Sequence, residues 1–340
     1  MNRYQPPLTL TTRMLALVAE ISEQVGRLSE RREAELTPQL RRGNRIRTIQ
    51  ASLAIENNTL SLEQVTAVLD GKRVLGLPRE IQEVRNAFTT YEAMPTFRPD
   101  SRAHLLQAHG TLMFGLLDDA GEFRSGGVGI YRGDRLVHMA PPASRVATLV
   151  DSLLQWVGST ELHPLIASCV FHYEFEFIHP FADGNGRMGR LWQTLLLSQW
   201  RPVLAWLPVE TVIREQQDAY YAALSRADQM GEATPFVEFM LGALQQALLD
   251  AGSTDDHSAG TLSNQVASLL RCLSEHPAMK AAELMEGLGI SHRATFRENY
   301  LNPALAQGLV EMTNPDSPRS PAQKYRISQK GADWVGSSAG

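Results

Sequence analysis

The chain has little cysteine. Its 340 residues carry two, Cys169 and Cys272, far apart in apolar runs. That argues against a disulfide framework and leaves buried, reduced thiols as the expectation. Long hydrophobic runs are also missing. Stretches such as Leu149–Val157 fall far short of the ~20 apolar residues a spanning helix needs, so no membrane partner is expected. The opening MNRYQPPLTL lacks the apolar centre of a secretory signal, and a soluble cytoplasmic protein is the expectation. Positive charge is not in excess: 32 Lys and Arg face 37 Asp and Glu, a net charge of −5. A general binder of nucleic acid or of anionic membrane surfaces is disfavoured. Two signatures are absent, the G-x-x-x-x-G-K-[ST] phosphate loop and the zinc-type H-E-x-x-H pair. His163, His172 and His179 do not have zinc-helix spacing. His172 is expected to be a hydrogen-bonded histidine on a packed helix.

What is present is an ordinary globular composition, 43% hydrophobic and 20% charged, in a chain long enough for two or three domains. Apolar residues recur at three- and four-residue spacing nearly throughout, which predicts a mainly α-helical protein. Helices are expected over 11–36, from a start at Thr37 and Pro38 towards Ile55, from a cap at Ser61 to a stop at Gly71, and over 78–94. After Pro95 and Pro99 another helix leads into GEFRSGGVGIYRGDRLVHMAPP. Its glycines and short alternating runs predict a β-hairpin flap. Helices resume at 143–157 and 163–178, and again at 187–200, 213–229 and 234–250. The small, polar AGSTDDHSAGTLS reads as a linker. Three helical runs then precede two strand-like runs around a Pro/Ser/Asp turn, a winged-helix pattern. The expected division is an N-terminal helical region (1–98), a catalytic core (99–250), a linker (251–262) and a winged helix (263–335).

The stretch HPFADGNGRMGR, His179 to Arg190, concentrates the chemistry. An apolar lead-in and a following helical run place Gly184 and Gly186 at or just before a helix N-terminus. Unpaired N–H groups and the helix dipole favour an anion there. Glycine lets a phosphate approach the main chain and permits the turn conformations of an anion nest. Asn185 tolerates such a conformation and can donate from its side chain. Arg187 and Arg190, three apart, share a helix face and offer guanidinium forks to phosphate oxygens. Asp183 is a natural ligand for Mg²⁺. His179 has a side chain suited to general-base work near neutral pH. Together these parts describe transfer of a phosphorus-centred group, with the nest and arginines absorbing charge and the histidine taking a proton from an attacking hydroxyl.

HPFADGNGRMGR resembles the Fic family signature, H-x-F-x-[DE]-G-N-G-R-x-x-R, at every specified position, and the resemblance extends over about residues 35–245. It implies a Fic-type helical bundle and transfer of AMP from ATP, with Mg²⁺, to a Ser, Thr or Tyr hydroxyl of a target protein, pyrophosphate leaving; the protein itself is an expected target. It also implies roles: His179 as base, Asp183 for the metal, and Gly184, Asn185, Gly186, Arg187 and Arg190 for the phosphates. Phe181 would anchor the loop. Tyr221 and Leu224 would wall the adenine, with Asp228 where an asparagine is often seen. The flap, with Val128, Ile130 and Val137, would dock an extended segment of the target by strand pairing. Upstream, Ser52 and Glu56 lie one helical turn apart, and SLAIEN resembles the [ST]-x-x-x-E-[GN] inhibitory motif of some members. Glu56 paired with Arg190 would occupy the cation meant for the γ-phosphate, with Leu53 and Ile55 anchoring the helix. Some members use other nucleotides, transfer other groups, or remove AMP by hydrolysis, so a de-AMPylase is an alternative.

The C-terminal run KAAELMEGLGISHRATFRENYL fits helix-turn-helix spacing, with Gly289 in the turn and Ser291 as a cap. Arg293, Arg297, Lys324 and Arg326 could contact DNA, but Glu283, Glu286 and Glu298 offset them. A nucleotide-sensing, DNA-binding regulator stands as the rival from a different class; such units also serve as protein-contact or dimer modules, and a homodimer is a possible assembly.

Overall fold

The computed structural model describes residues 4–35, 38–132, 135–256, 264–274, 276, 278–288, 290, 296–314, 320 and 323–337. The chain forms two compact units, Met1–Ala251 and Gly252–Gly340. The first is mostly helical: α1 (Thr12–Glu35), α2 (Pro38–Ile55), α3 (Leu62–Leu69), α4 (Pro78–Ala93), α5 (Arg102–Leu112), α6 (Ala143–Val157), α7 (Pro164–Ile178), α8 (Asn185–Trp200), α9 (Val209–Glu215), α10 (Gln217–Met230) and α11 (Thr234–Asp256). Strands β1 (Gly129–Arg132) and β2 (Arg135–Met139) pair antiparallel between α5 and α6, with an irregularity between Ile130 and Tyr131. This is the expected hairpin; Gly133 and Asp134 at its tip lie outside the described residues. No helix among the described residues is long and apolar enough to cross a membrane.

The centre of the unit is α7. Its sequence is apolar nearly all round, and twelve consecutive or near-consecutive residues from Leu165 to Ile178 are buried, as a helix enclosed on every side must be. Helix α8 packs along it, with Met188, Leu191, Trp192 and Leu195 buried. The chain's start is woven into this core. Ala233 N donates to Pro7 O at 2.9 Å, Thr9 N to Thr234 Oγ1 at 2.9 Å, and the Tyr4 hydroxyl to the buried Glu174 carboxylate.

Helix α2 has an unusual inner face. Ile46, Ile49, Leu53 and Ile55 are buried there, but so are Asn44, Arg45, Thr48, Gln50 and Ser52. Arg45 stacks over Trp206 at 4.5 Å and over Tyr91 at 5.0 Å. The helix ends at Ile55 and the chain turns at Asn57 (φ 68°). Ser61 then caps α3 as its sequence predicts: Gln64 N donates to Ser61 Oγ while Gln64 Oε1 accepts from Ser61 N, a reciprocal capping box. One expected helix is divided. The run 213–229 breaks at Gln216 (φ −108°, ψ 31°), so α9 and α10 are separate elements.

In the second unit α12 (Asn264–Ser274), α13 (Ala281–Gly287) and a π-turn at Arg297–Leu301 running into α14 (Asn302–Ala306) precede the antiparallel pair β3 (Val310–Met312) and β4 (Tyr325–Ile327), then α15 (Gln329–Ser337). Leu269, Leu270, Leu273, Leu284, Phe296 and Tyr325 share one apolar core. Helix α11 continues through Asp256 into the expected linker, whose residues 257–263 lie outside the described residues. Gly289, Ser291 and Arg293, read as the turn and the start of a recognition helix, also lie outside them. Arg326 is paired with Glu311 across the strands at 3.0 Å, which reduces the positive charge that ribbon could offer to phosphate.

Leu53 is 2% exposed and seats α2 in the core. Leu53→Ala should lower unfolding stability by about 2–5 kcal/mol, read as a shifted urea midpoint. An unchanged midpoint would contradict this placement.

Candidate functional site

Helix α7 ends on His179, which adopts the left-handed conformation (φ 48°, ψ 62°). Pro180 follows and cannot continue the helix. The chain loops through Phe181 and Asp183 to Gly184, also left-handed (φ 84°), which is the N-cap of α8. A side chain on Gly184 would be strained in that conformation and would strike Met113 Sδ at 2.8 Å. The loop is therefore tight, and it aims the first N–H groups of α8 at one point, with Arg187 and Arg190 on the same helix.

The Asn185 side chain bonds within the loop. Its Oδ1 accepts from Phe181 N and its Nδ2 donates to Phe181 O, both at 2.9 Å. The amide is a staple across the loop. Phe181 is fully buried and stacks on His109 with ring centroids 3.6 Å apart.

The two arginines each meet a carboxylate from an upstream helix. Arg190, whose side chain is 1% exposed, donates from Nη2 to Glu56 Oε1 at 2.7 Å. It also donates from Nε to Ser52 Oγ and from Nη2 to Ser52 O, both at 3.0 Å. The Glu56 carboxylate lies directly against Gly186, where any Cβ would collide with it. It thus occupies the mouth of the nest. Arg187 contacts Asp183 Oδ1 at 3.3 Å and Glu83 Oε1 at 3.5 Å. Asp183 additionally accepts from Gly184 N at 2.6 Å and from Arg79 Nη2 at 3.3 Å. Glu83 accepts from Asn58 Nδ2 at 2.9 Å, tying the turn after Glu56 to this group of charges.

His179 lies with Nδ1 4.0 Å from Glu176 Oε2. Tyr221 and Leu224 stand one turn apart on α10; Tyr221 is exposed and Leu224 packs against the core. Asp228, a further turn along, accepts from the Tyr173 hydroxyl at 3.0 Å. Val128 is half-buried and its carbonyl accepts from Ala140 N at 3.2 Å at the base of the flap. Ile130 and Val137 have backbones in β1 and β2, while their side chains lie outside the described residues. His172 is the satisfied core histidine expected of it: Nδ1 meets Gln193 Oε1 at 2.7 Å, Nε2 meets the Tyr220 hydroxyl at 3.2 Å, and burial pushes its pKa down to about 3.

Four residues of the site gave no signal in the sequence: Arg79, Glu83, His109 and Arg124. Each meets the site across a long sequence separation, although Arg79 and Glu83 are also an i,i+4 pair on α4, 3.6 Å apart. His109 is the clearest. Gly121 N donates to its Nδ1 at 2.9 Å, so Nε2 carries the proton and donates to Asp183 O at 3.0 Å. Burial pushes its pKa down to about 4, against the opposing hydrogen bond to Asp183. A neutral imidazole thus holds the loop by ring stacking on one side and one hydrogen bond on its edge.

The sequence profile described as the Fic/DOC family matches residues 99–197, and the profile of the Fic-like C-terminal domain matches residues 264–328. Protein adenylyltransferase Fic from Drosophila erecta is 29% identical over 270 residues, covering 74% of this chain and 50% of that protein. The Drosophila mojavensis protein of the same name is 30% identical over 246 residues, covering 65% and 45%. The chain spans about half the length of these curated relatives. Among solved structures, a Fic family protein from Desulfovibrio desulfuricans G20 is 62% identical, with a TM-score of 0.74 and coverage of 96% of this chain and 99% of that one. Fic-1 from C. elegans, residues 134–508, shares the fold at 21% identity and a TM-score of 0.55, with 72% of each chain covered.

His109 sets a pH dependence. Its folded pKa of about 4 lies below the ~6.5 of an unfolded histidine. Between those values the unfolded chain binds a proton that the folded chain refuses. Stability is therefore full above about pH 6.5 and falls as pH drops toward 4. His109→Gln keeps one donor and one acceptor and should flatten that slope in urea midpoints measured across the range. An unchanged slope would contradict the assignment.

Proposed function

The chain belongs to the Fic family, and we propose that it is a protein adenylyltransferase whose own Glu56 holds it off. The observation that carries the reading is the contact of a buried Arg190 with Glu56 at 2.7 Å, in the mouth of a glycine nest at a helix N-terminus. A carboxylate there stands where a phosphate would be received. On this reading residues 1–98 supply the inhibitory helix, 99–250 the catalytic core and 263–335 a winged-helix module, in a cytoplasmic protein.

The reaction would run as follows. ATP enters with its base along α10 beside Tyr221 and Leu224 and its phosphates over Gly184–Arg190. A target Ser, Thr or Tyr hydroxyl, registered by the flap, approaches the α-phosphorus. His179 takes the hydroxyl proton. The new oxygen–phosphorus bond forms as the bond to the bridging oxygen of the leaving pyrophosphate breaks. Arg187 and Arg190 absorb the charge that builds on the leaving group. The target keeps AMP.

Asp183 fits a metal of one kind. It offers a single carboxylate, 45% exposed, beside the nest, and among the described residues no three His, Cys, Asp or Glu side chains converge on one point. Mg²⁺ is characteristically held by one or two carboxylates together with substrate phosphates. The donor set suits an ion that arrives with the nucleotide. Asp183 would hold it, and it would neutralise and orient the phosphates. Arg79 and Arg187, now on Asp183, would have to yield part of that carboxylate.

While Glu56 holds Arg190, ATP can enter but its γ-phosphate finds no free fork, and the α-phosphorus stays out of line with the hydroxyl. Glu56→Gly should therefore raise AMP incorporation about 10²-fold, and adding His179→Ala should abolish it. Mass spectrometry after incubation with ATP and Mg²⁺, for wild type and both variants, reads this directly. Equal incorporation by wild type and Glu56→Gly would sink the inhibition. Release of AMP from a modified target, without its transfer, would favour the de-AMPylase.

A further inference from the structure

Arg124 is a buried cation, 4% exposed, and among the described residues its guanidinium hydrogen-bonds only to main-chain oxygens. Nε donates to His179 O at 2.6 Å and Nη2 to Ile178 O at 3.2 Å. Nη1 donates to Gly126 O at 2.8 Å, and Nη2 also to Pro141 O at 2.6 Å. Its own backbone N donates to Pro180 O at 3.0 Å. Of the guanidinium's four acceptors, two are the carbonyls of Ile178 and of its C-cap His179 at the end of α7, which have no intrahelical partner and carry the negative end of the helix dipole. The other two are the feet of the β1–β2 hairpin, one before β1 and one after β2.

We propose that Arg124 is a positioning residue that joins the flap to the base. One guanidinium fixes the left-handed backbone of His179 and both feet of the hairpin at once, so the edge that receives the target and the side chain that receives its proton share one reference point. This rests on reading His179 as the base and the flap as the docking edge. The left-handed conformation of a non-glycine residue costs of order 1–3 kcal/mol and persists only where the surroundings impose it. Arg124 is the surrounding group that does so, capping from 55 positions upstream a helix that Pro180 has stopped. The task requires a planar fork. Lysine carries a compact charge and cannot span acceptors on both sides. Burial drives the guanidinium's pKa down, and only a set of well-placed carbonyls offsets that cost.

The test is made in the Glu56→Gly protein. With Arg124→Lys, kcat for AMP transfer should fall about 10²-fold while the KM for ATP holds, because no phosphate contact is touched. Guanidinium ion should restore part of the kcat of Arg124→Ala and none of that of His179→Ala. Unchanged kcat in Arg124→Lys, or a fall in kcat and ATP affinity together without guanidinium rescue, would overturn the inference. If Glu56→Gly itself transfers no AMP, the functional reading fails and the structural coupling is read by NMR. In Arg124→Lys the His179 ring and the Gly126 and Gly127 amides should then shift together while the His172 ring stays. Movement of one group without the other contradicts the coupling.

Discussion

A guanidinium almost wholly out of water needs its charge met, by an anion or by a full set of carbonyls. Arg190 is that group here, and the arrangement of the N-terminal half of the chain follows from its need. Removing one partner of a buried ion pair leaves an uncompensated charge and is costly, of order 3–5 kcal/mol when both groups are well buried. Glu56 is only partly buried, so its loss costs less, but the direction is the same. Arg190 has its charge met by Glu56; on the proposed reading a nucleotide phosphate would take that place. Ser52 contributes neutral contacts that orient the fork without satisfying its charge. One cation thus serves two anions, and the competition between them is the proposed control.

The rest of the site follows the same logic of fixed charge and little spare volume. Gly186 lets the Glu56 carboxylate lie on the nest, and by the same close approach would let a phosphate do so. Asn185, spent on the Phe181 backbone, keeps the loop from relaxing. His109 keeps it from tilting. Arg187, Asp183, Arg79 and Glu83 form a second set of alternating charges, linked through Asn58 to the turn that follows Glu56. The helix that presents Glu56 is itself docked through a face that mixes Ile49 and Leu53 with Arg45, Thr48 and Gln50. Buried polar groups contribute little net stability unless fully paired. Such a face holds α2 in register without locking it as firmly as an apolar stripe would.

Much of this was legible in the sequence, for a definite reason. His179 to Arg190 is a contiguous stretch, and its chemistry depends on spacing along one loop and one helix, which a sequence displays. Ser52 and Glu56 are four residues apart at the end of one helix, and their pairing with Arg190 is anticipated by motif resemblance. The capping box at Ser61 and Gln64 is equally local. His109, Arg124, Arg79 and Glu83 were not legible, because their roles are set by contacts 55 to 104 positions away along the chain for the first three and across helices for the fourth. The break at Gln216 is not visible in the sequence, because apolar periodicity continues across it and nothing in the residue type demands a stop. Asn185 shows a contact that the sequence does not display. Its position in a phosphate loop suggested a phosphate contact, but a tight left-handed turn at Gly184 leaves the Phe181 main chain exposed to it, and the amide closes on that.

The central claim is that Glu56 and the terminal phosphate of a nucleotide compete for Arg190, and calorimetric binding of ATP and ADP measures that most directly. In the wild-type protein, with Arg190 on Glu56, the two nucleotides should bind about equally. In Glu56→Gly the freed guanidinium should favour ATP over ADP by ~10-fold or more, the worth of a charge-assisted hydrogen bond. The same ATP-to-ADP ratio in both proteins would contradict the account.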